Sequence, residues 1–183
     1  LKFLIQDWGV EKFRQVLQDE YLDRELPDGP APERANGNFD HIGVHPQSNG
    51  KVWVGVAPTV GRVSGTILAK VADLAEQAGS GRIRFTVHQK LLILDVDPAK
   101  ADELIAQLAK LKLYATPSIF RRGTMACTGI EYCKLAFVDT KADAATLVGD
   151  LEERLADLDL GETKLSINLN GCPNSCARIQ VAD

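Results

Sequence analysis

The feature that most restricts this chain is the placement of its four cysteines. They fall in two pairs, Cys127 with Cys133 and Cys172 with Cys176, and there are no others in 183 residues. Five residues separate the first pair, three the second, and 38 lie between the pairs. Such short spacings put both sulfurs of a pair at one turn, and the longer interval lets the two turns come from different loops of one fold. Four thiolates are what an iron–sulfur cube needs, one per iron, and a cysteine followed by proline, as in Cys172-Pro173, is familiar from such loops. Three plainer readings stand beside that one. Structural zinc prefers pairs two to four residues apart, which suits the second pair and not the first. Disulfides belong to exported chains, and four cysteines are sparse for this length. Cysteines acting as small buried hydrophobes leave the flanking Gly123, Gly129 and Gly171 without a reason. Spacing favours the cluster over each of them.

Composition narrows the remaining classes. With 45% hydrophobic residues there is enough apolar material for one core or for two small ones. A net charge of −4 argues against a nucleic-acid surface, which would need clustered Lys and Arg. No apolar run reaches the length of a membrane span, and no charged start with an apolar core marks a signal peptide. Thiols meant for iron are best kept reduced, so a cytoplasmic setting is expected. The sequence begins at Leu1 and stops seven residues after Cys176, and it reads as a segment of a longer chain.

Along the chain, Val10, Phe13, Val16 and Leu17 recur near a helical period from Asp7 onward, predicting an amphipathic helix. Trp8 and Phe13 are read as packing aromatics. Asp28-Gly29-Pro30-Ala31-Pro32 and the polar residues up to Gly37 predict a linker. His41 and His45 lack further ligands at useful spacing and are not taken as a metal site. Val52 to Val56 predicts a strand, and Gly61 and Gly65 a turn rather than a phosphate cradle, since the lysine of a P-loop is absent. A helix follows with Ile67, Leu68, Val71, Leu74, Ala75 and Ala78 on its apolar face, capped by Ser64 or Thr66 and stopped by Gly79. Arg82 to Val87 and Leu91 to Val96 predict strands joined at His88-Gln89-Lys90. Asp97-Pro98 then opens a helix carrying Ala101, Leu104, Ile105 and Leu108. Strand, helix, strand, strand, helix is most of a ferredoxin-like unit. Between the cysteine pairs, Asp143 to Leu158 predicts a helix and Leu165 to Leu169 a strand that delivers Asn170-Gly171 into the second pair.

Two stretches carry a resemblance. Thr124-Met125-Ala126-Cys127-Thr128-Gly129-Ile130-Glu131-Tyr132-Cys133-Lys134-Leu135-Ala136 and Asn168-Leu169-Asn170-Gly171-Cys172-Pro173-Asn174-Ser175-Cys176-Ala177-Arg178 resemble the sulfite/nitrite reductase haemoprotein family, particularly its ferredoxin-dependent members. Trp53 to Leu111, including Val60-Gly61-Arg62 and Arg84-Phe85-Thr86-Val87-His88-Gln89, resembles the small half-domain found twice in that family, here its second copy. The resemblance implies an α+β architecture: a ferredoxin-like half-domain followed by the start of an α/β domain for sirohaem and a 4Fe–4S cluster. Residues 1–36 are then the tail of a preceding sirohaem-domain copy with its linker, 37–116 the half-domain, and 117–183 a truncated cofactor domain.

By the same resemblance Cys127, Cys133, Cys172 and Cys176 hold the 4Fe–4S cluster, and Cys176 also bridges to sirohaem. Asn174, Arg121 and Arg122 are expected near the macrocycle, whose carboxylates attract cations. Arg84, Thr86, His88 and Gln89 match a segment that faces sirohaem in the first half-domain copy, and here they are weighed as its structural mate. The implied activity is six-electron reduction of a small oxyanion, sulfite to sulfide or alternatively nitrite to ammonia, with reduced ferredoxin as electron donor and a cytoplasmic monomer as the working form. No catalytic residue is assigned in this chain, because the family's substrate-binding Arg and Lys residues lie mainly in the preceding part. A non-catalytic iron–sulfur or zinc module is the remaining alternative.

Overall fold

A computed structural model describes residues 1–30, 40–160 and 163–178. The chain divides into two compact units, Leu1–Gly37 and Asn38–Asp183. The part of the expected linker beyond Pro30 lies outside the described residues.

The first unit is helical but not one helix. α1 (Lys2–Trp8) and α2 (Val10–Val16) are separated by Gly9 at φ 78°, a conformation only glycine adopts cheaply, and α2 runs on into a wider π-type turn over Leu17–Leu22. The returning chain is tied to α2 by side chains. Arg14 pairs with Asp28 at 2.6 Å and bonds the Leu26 carbonyl, and Gln18 Oε1 accepts from the Leu26 N–H at 2.8 Å. Of the apolar stripe, Phe13, Val16 and Leu17 are half-buried and Val10 stays exposed, as do Phe3 and Tyr21.

In the second unit, β1 (Gly43–Pro46), β2 (Val52–Val56), β3 (Ile83–Phe85) and β4 (Leu91–Val96) form an antiparallel sheet in the order β1-β2-β4-β3. α3 (Gly65–Ala78) joins β2 to β3, and α4 (Ala101–Lys110) follows β4. Both helices begin as the sequence predicts. Ser64 Oγ accepts from the Ile67 N–H, and Asp97 caps the single 3-10 turn that leads into α4. Their apolar faces meet the sheet, so that Val54, Val56, Val71, Ala75, Leu91, Ile93, Val96, Leu104 and Leu108 form one buried cluster. Each such Val, Ile or Leu contributes roughly 1.5–3 kcal/mol through burial. A β-α-β-β-α-β unit would place a last strand after α4. Here β1, from the N-terminal side, occupies the edge beside β2. β1 carries no clear strand pattern in the sequence. His45 explains the stretch differently: its ring stacks on Trp53 at 4.0 Å and its Nε2 bonds the Ile42 carbonyl.

After α4 the chain makes α5 (Ile119–Gly123), β5 (Thr124–Ala126), α6 (Thr140–Arg154) and β6 (Ile167–Leu169). β5 and β6 pair in parallel, Thr124 with Ile167 and Ala126 with Leu169, with α6 in the connection between them. Neither α5 nor β5 was legible in the sequence. α6 starts three residues earlier than predicted because Asp139 accepts from the Ala142 N–H. It ends at Arg154 rather than Leu158, whose side chain is exposed. The acidic Asp157 and Asp159 that follow are unfavourable at a helix C-terminus. β6 is likewise shorter than the predicted strand. Val60, Ala126 and Ala144 pack as a second small buried cluster under this layer.

Candidate functional site

Parallel pairing of β5 and β6 fixes where the cysteines go. Cys127 follows the last residue of β5, and Asn170-Gly171-Cys172 follows the last residue of β6, so both ligand loops leave the carboxyl ends of adjacent strands. That end of a parallel pair is where open α/β sheets bind ligands. The ladder continues one step, with Cys127 N–H donating to the Leu169 carbonyl at 3.0 Å. The result is a cavity of about 550 Å³ lined by all four cysteines, together with Thr128, Gly129, Tyr132, Asn170 and the Lys134–Ala136 segment. None of the four is in a disulfide; Cys176 is exposed and the other three are half-buried. Among the described residues no three Cys, His, Asp or Glu side chains are gathered closely enough to hold a metal ion as they stand.

Cys127 is the best-held of the four. The Gly171 N–H donates to its Sγ at 3.3 Å, and Thr140 Oγ1 lies 3.4 Å from the same sulfur while donating to the Cys127 carbonyl at 2.8 Å. Burial pushes the Cys127 thiol up, but the Thr140 hydroxyl, the Gly171 and Gly129 N–H groups and the Lys141 cation outweigh it, leaving the thiol below its ordinary range. Gly129 must be glycine: at φ 74° a Cβ would stand 2.8 Å from Thr140 Oγ1.

The half-domain grips the first cysteine loop at two places. Gln89, itself at positive φ, donates from Nε2 to the Ala126 carbonyl at 2.6 Å and accepts from the Ala126 N–H at 3.3 Å. One side-chain amide thus takes the place of a neighbouring strand on the open side of β5, directly before Cys127. Lys141 Nζ bonds both Gln89 Oε1 at 3.2 Å and the Val60 carbonyl. Arg62 then reaches Glu131, inside the first pair, with both carboxylate oxygens at 2.5–2.6 Å. Sequence reasoning missed Gln89, Thr140, Lys141 and Arg62 in these roles; nothing local marks a residue whose partner is tens of positions away.

Other expected residues lie elsewhere. Arg121 and Arg122 do not line the cavity. Arg121 pairs bidentately with Glu152, bonds Thr59 Oγ1 and lies over the Tyr114 ring at 5.7 Å. Arg122 pairs with both oxygens of Asp40. Asn174 is exposed and also outside the lining, whereas Asn170 is inside it. Thr86 Oγ1 accepts from the His88 and Lys90 N–H groups and so closes the β3–β4 turn, and His88 Nδ1 lies 3.1 Å from Arg178. Lys90 is buried with its Nζ on the Arg121 carbonyl; burial, opposed by Asp40 and aided by Arg122 and Lys141, brings its pKa down to about 8. Among the described residues no helix is long and apolar enough to cross a membrane.

Residues 45–111 match the nitrite/sulfite reductase ferredoxin-like half domain. The whole chain aligns at 59% identity with a third (33%) of Sulfite reductase (ferredoxin) 2 of Mycolicibacterium paratuberculosis. It aligns at 38% identity with 33% of the assimilatory ferredoxin-dependent nitrite reductase of Haloferax mediterranei. The solved structure of the Mycobacterium tuberculosis NirA protein superposes over all of this chain and 34% of its own, with a TM-score of 0.88 and 57% identity. The chain therefore spans about a third of the length of the curated relatives it matches.

Proposed function

We propose that the chain is the cluster-holding part of a ferredoxin-dependent sulfite reductase, from the family whose ferredoxin-like half domain residues 45–111 match. The observation that carries the proposal is the single cavity walled by four cysteines from two loops. Its residues fit a 4Fe–4S cluster. The donor set is four free thiols, the space exceeds what one ion fills, and the buried Nδ2 of Asn170 in the cavity wall has no partner among the described residues. Cys127, Cys133, Cys172 and Cys176 would hold the cluster, and Cys176, exposed here, would also meet sirohaem.

When bound, the cluster and sirohaem supply one-electron storage beside the iron that takes the oxyanion. This chain's residues supply the setting. Thr140, Gly171 and Gly129 place hydrogen-bonding groups on Cys127 that lower its thiol pKa, and Lys141 places a cation near it. Tyr132 and Leu135 line the cavity and are exposed at its mouth, where a flat apolar partner would exclude water. Arg121 and Arg122, the cations expected near sirohaem's carboxylates, pair with Glu152 and Asp40 in this structure.

Sulfite is the favoured substrate because the relatives near 58% identity carry that name, while those carrying nitrite stand at 38% and below. Either reduction consumes six electrons, delivered singly by reduced ferredoxin to a cytoplasmic monomer, and releases the oxygens as water. The test is turnover of the full-length protein, purified without air, with reduced ferredoxin and each anion. Sirohaem absorption and a higher kcat/KM for sulfite than for nitrite are expected. A colourless protein, or preference for nitrite, overturns the corresponding half of the proposal.

A further inference from the structure

Asn170 sits at the point where β6 ends and the second cysteine loop begins, and its side chain does two separable things. Oδ1 accepts from the Ala177 N–H at 2.7 Å, one residue beyond Cys176, so a single side chain spans the loop that carries both cysteines. That bond also fixes which end of the amide faces the other way. Nδ2 is buried, has no hydrogen-bond partner among the described residues, and belongs to a residue in the wall of the four-cysteine cavity. A buried amide donor without an acceptor is unfavourable, and native interiors rarely keep one unless something absent from the protein chain completes it. The neighbouring donor at Gly171 is already committed to Cys127 Sγ. The Thr140 hydroxyl is committed to the Cys127 carbonyl. Asn170 Nδ2 is thus an uncommitted donor, closed to water, on a residue of the cavity wall.

We propose that Asn170 donates a hydrogen bond from Nδ2 to a sulfur of the bound cluster and thereby raises its reduction potential, while its Oδ1 independently braces the second cysteine loop. The proposal rests on the reading of the cavity as a 4Fe–4S site. Donors to cluster sulfurs stabilise the more negative, reduced state, and so the donor acts on the potential and the brace on assembly.

Two substitutions in the full-length protein separate these effects. Asn170→Asp keeps an acceptor for the Ala177 N–H and removes the donor; Asn170→Leu keeps the approximate volume and removes both. Potentiometric titration of the cluster is expected to show a fall of at least ~59 mV in both variants, the one-electron equivalent of a tenfold change in the oxidised-to-reduced ratio. Iron and sulfide content is expected to stay at the wild-type level in Asn170→Asp and to drop in Asn170→Leu. Should neither variant assemble, the wild-type protein labelled with asparagine side-chain ¹⁵N decides: a hyperfine coupling to the reduced cluster is expected, and its absence overturns the proposal. A wild-type cluster whose potential is unmoved in both variants also overturns it, while leaving the cluster reading intact. Wild-type protein without cluster iron would instead remove the cluster reading itself.

Discussion

Lys90 shows what a single side chain can report about this fold. It sits at the end of the β3–β4 turn, almost fully buried, with Asp40 attracting it and Arg122 and Lys141 repelling it. Its folded pKa of about 8 lies below the ordinary 10.5, so between those values the unfolded chain binds more protons than the folded one. Stability from this residue therefore rises with pH across that window, and below about pH 8 the full cost of the buried charge stands. Compared with Lys90→Met, the native protein should gain about 3 kcal/mol between pH 8 and 10.5. The difference in Tm between the two, measured across that range, should grow in favour of the native protein; a constant difference contradicts the burial of a charged lysine here. At this scale the sequence showed the cysteines, because a pair three or five residues apart is a local pattern. It did not show Asn170, Thr140 or Lys90, whose roles come from partners on other loops. Arg121 and Arg122 are expected near the cofactor on charge, and the ion-pair partners they have within the chain, Glu152 and Asp40, lie 31 and 82 residues away.

Among the elements, those bounded by strong local signals were legible. α3 carries its cap at Ser64 and its stop at Gly79, and β2 and β4 are runs of Val, Leu and Ile. β1, α5 and β5 were not, because three to five residues hold too little periodicity to read and are ordered by their neighbours. β5 in particular exists as a strand because β6 lies on one side and Gln89 on the other. Gly123, the last residue of α5, sets how close α5 and the start of β5 come to the chain leading into β6. A Cβ there would be 2.0 Å from the Leu165 carbonyl, on the chain leading into β6. Gly123→Ala should push that chain away, at a cost of about 1–3 kcal/mol typical of overpacking. Cluster iron in the full-length variant should then fall, while hydrogen-exchange protection of α3, α4 and β4 persists. Loss of protection throughout, or full iron content, would contradict a role confined to the β5–β6 approach.

For the molecule as a whole, the sheet of β1 to β4 with its two helices is one buried cluster, and the β5–β6 pair with α6 is another. The first grips the second at Gln89–Ala126 and Arg62–Glu131, immediately around Cys127. The half-domain thus serves as the support on which the first ligand loop is built, which gives a physical reason for the two to occur together in one chain. The alternation of helix and strand between the cysteine pairs was legible; the parallel pairing that brings the pairs together was not, since register between strands 40 residues apart leaves no local trace. The most direct test of a single cluster shared by both loops is the iron and acid-labile sulfide content of the anaerobically purified full-length protein and of its four separate Cys→Ser variants. About four iron and four sulfide per chain are expected in the native protein. Each of the four substitutions should lower both together, whichever loop it lies in. Stoichiometric zinc, or iron that survives loss of Cys172 and Cys176 but not of Cys127 and Cys133, would contradict it.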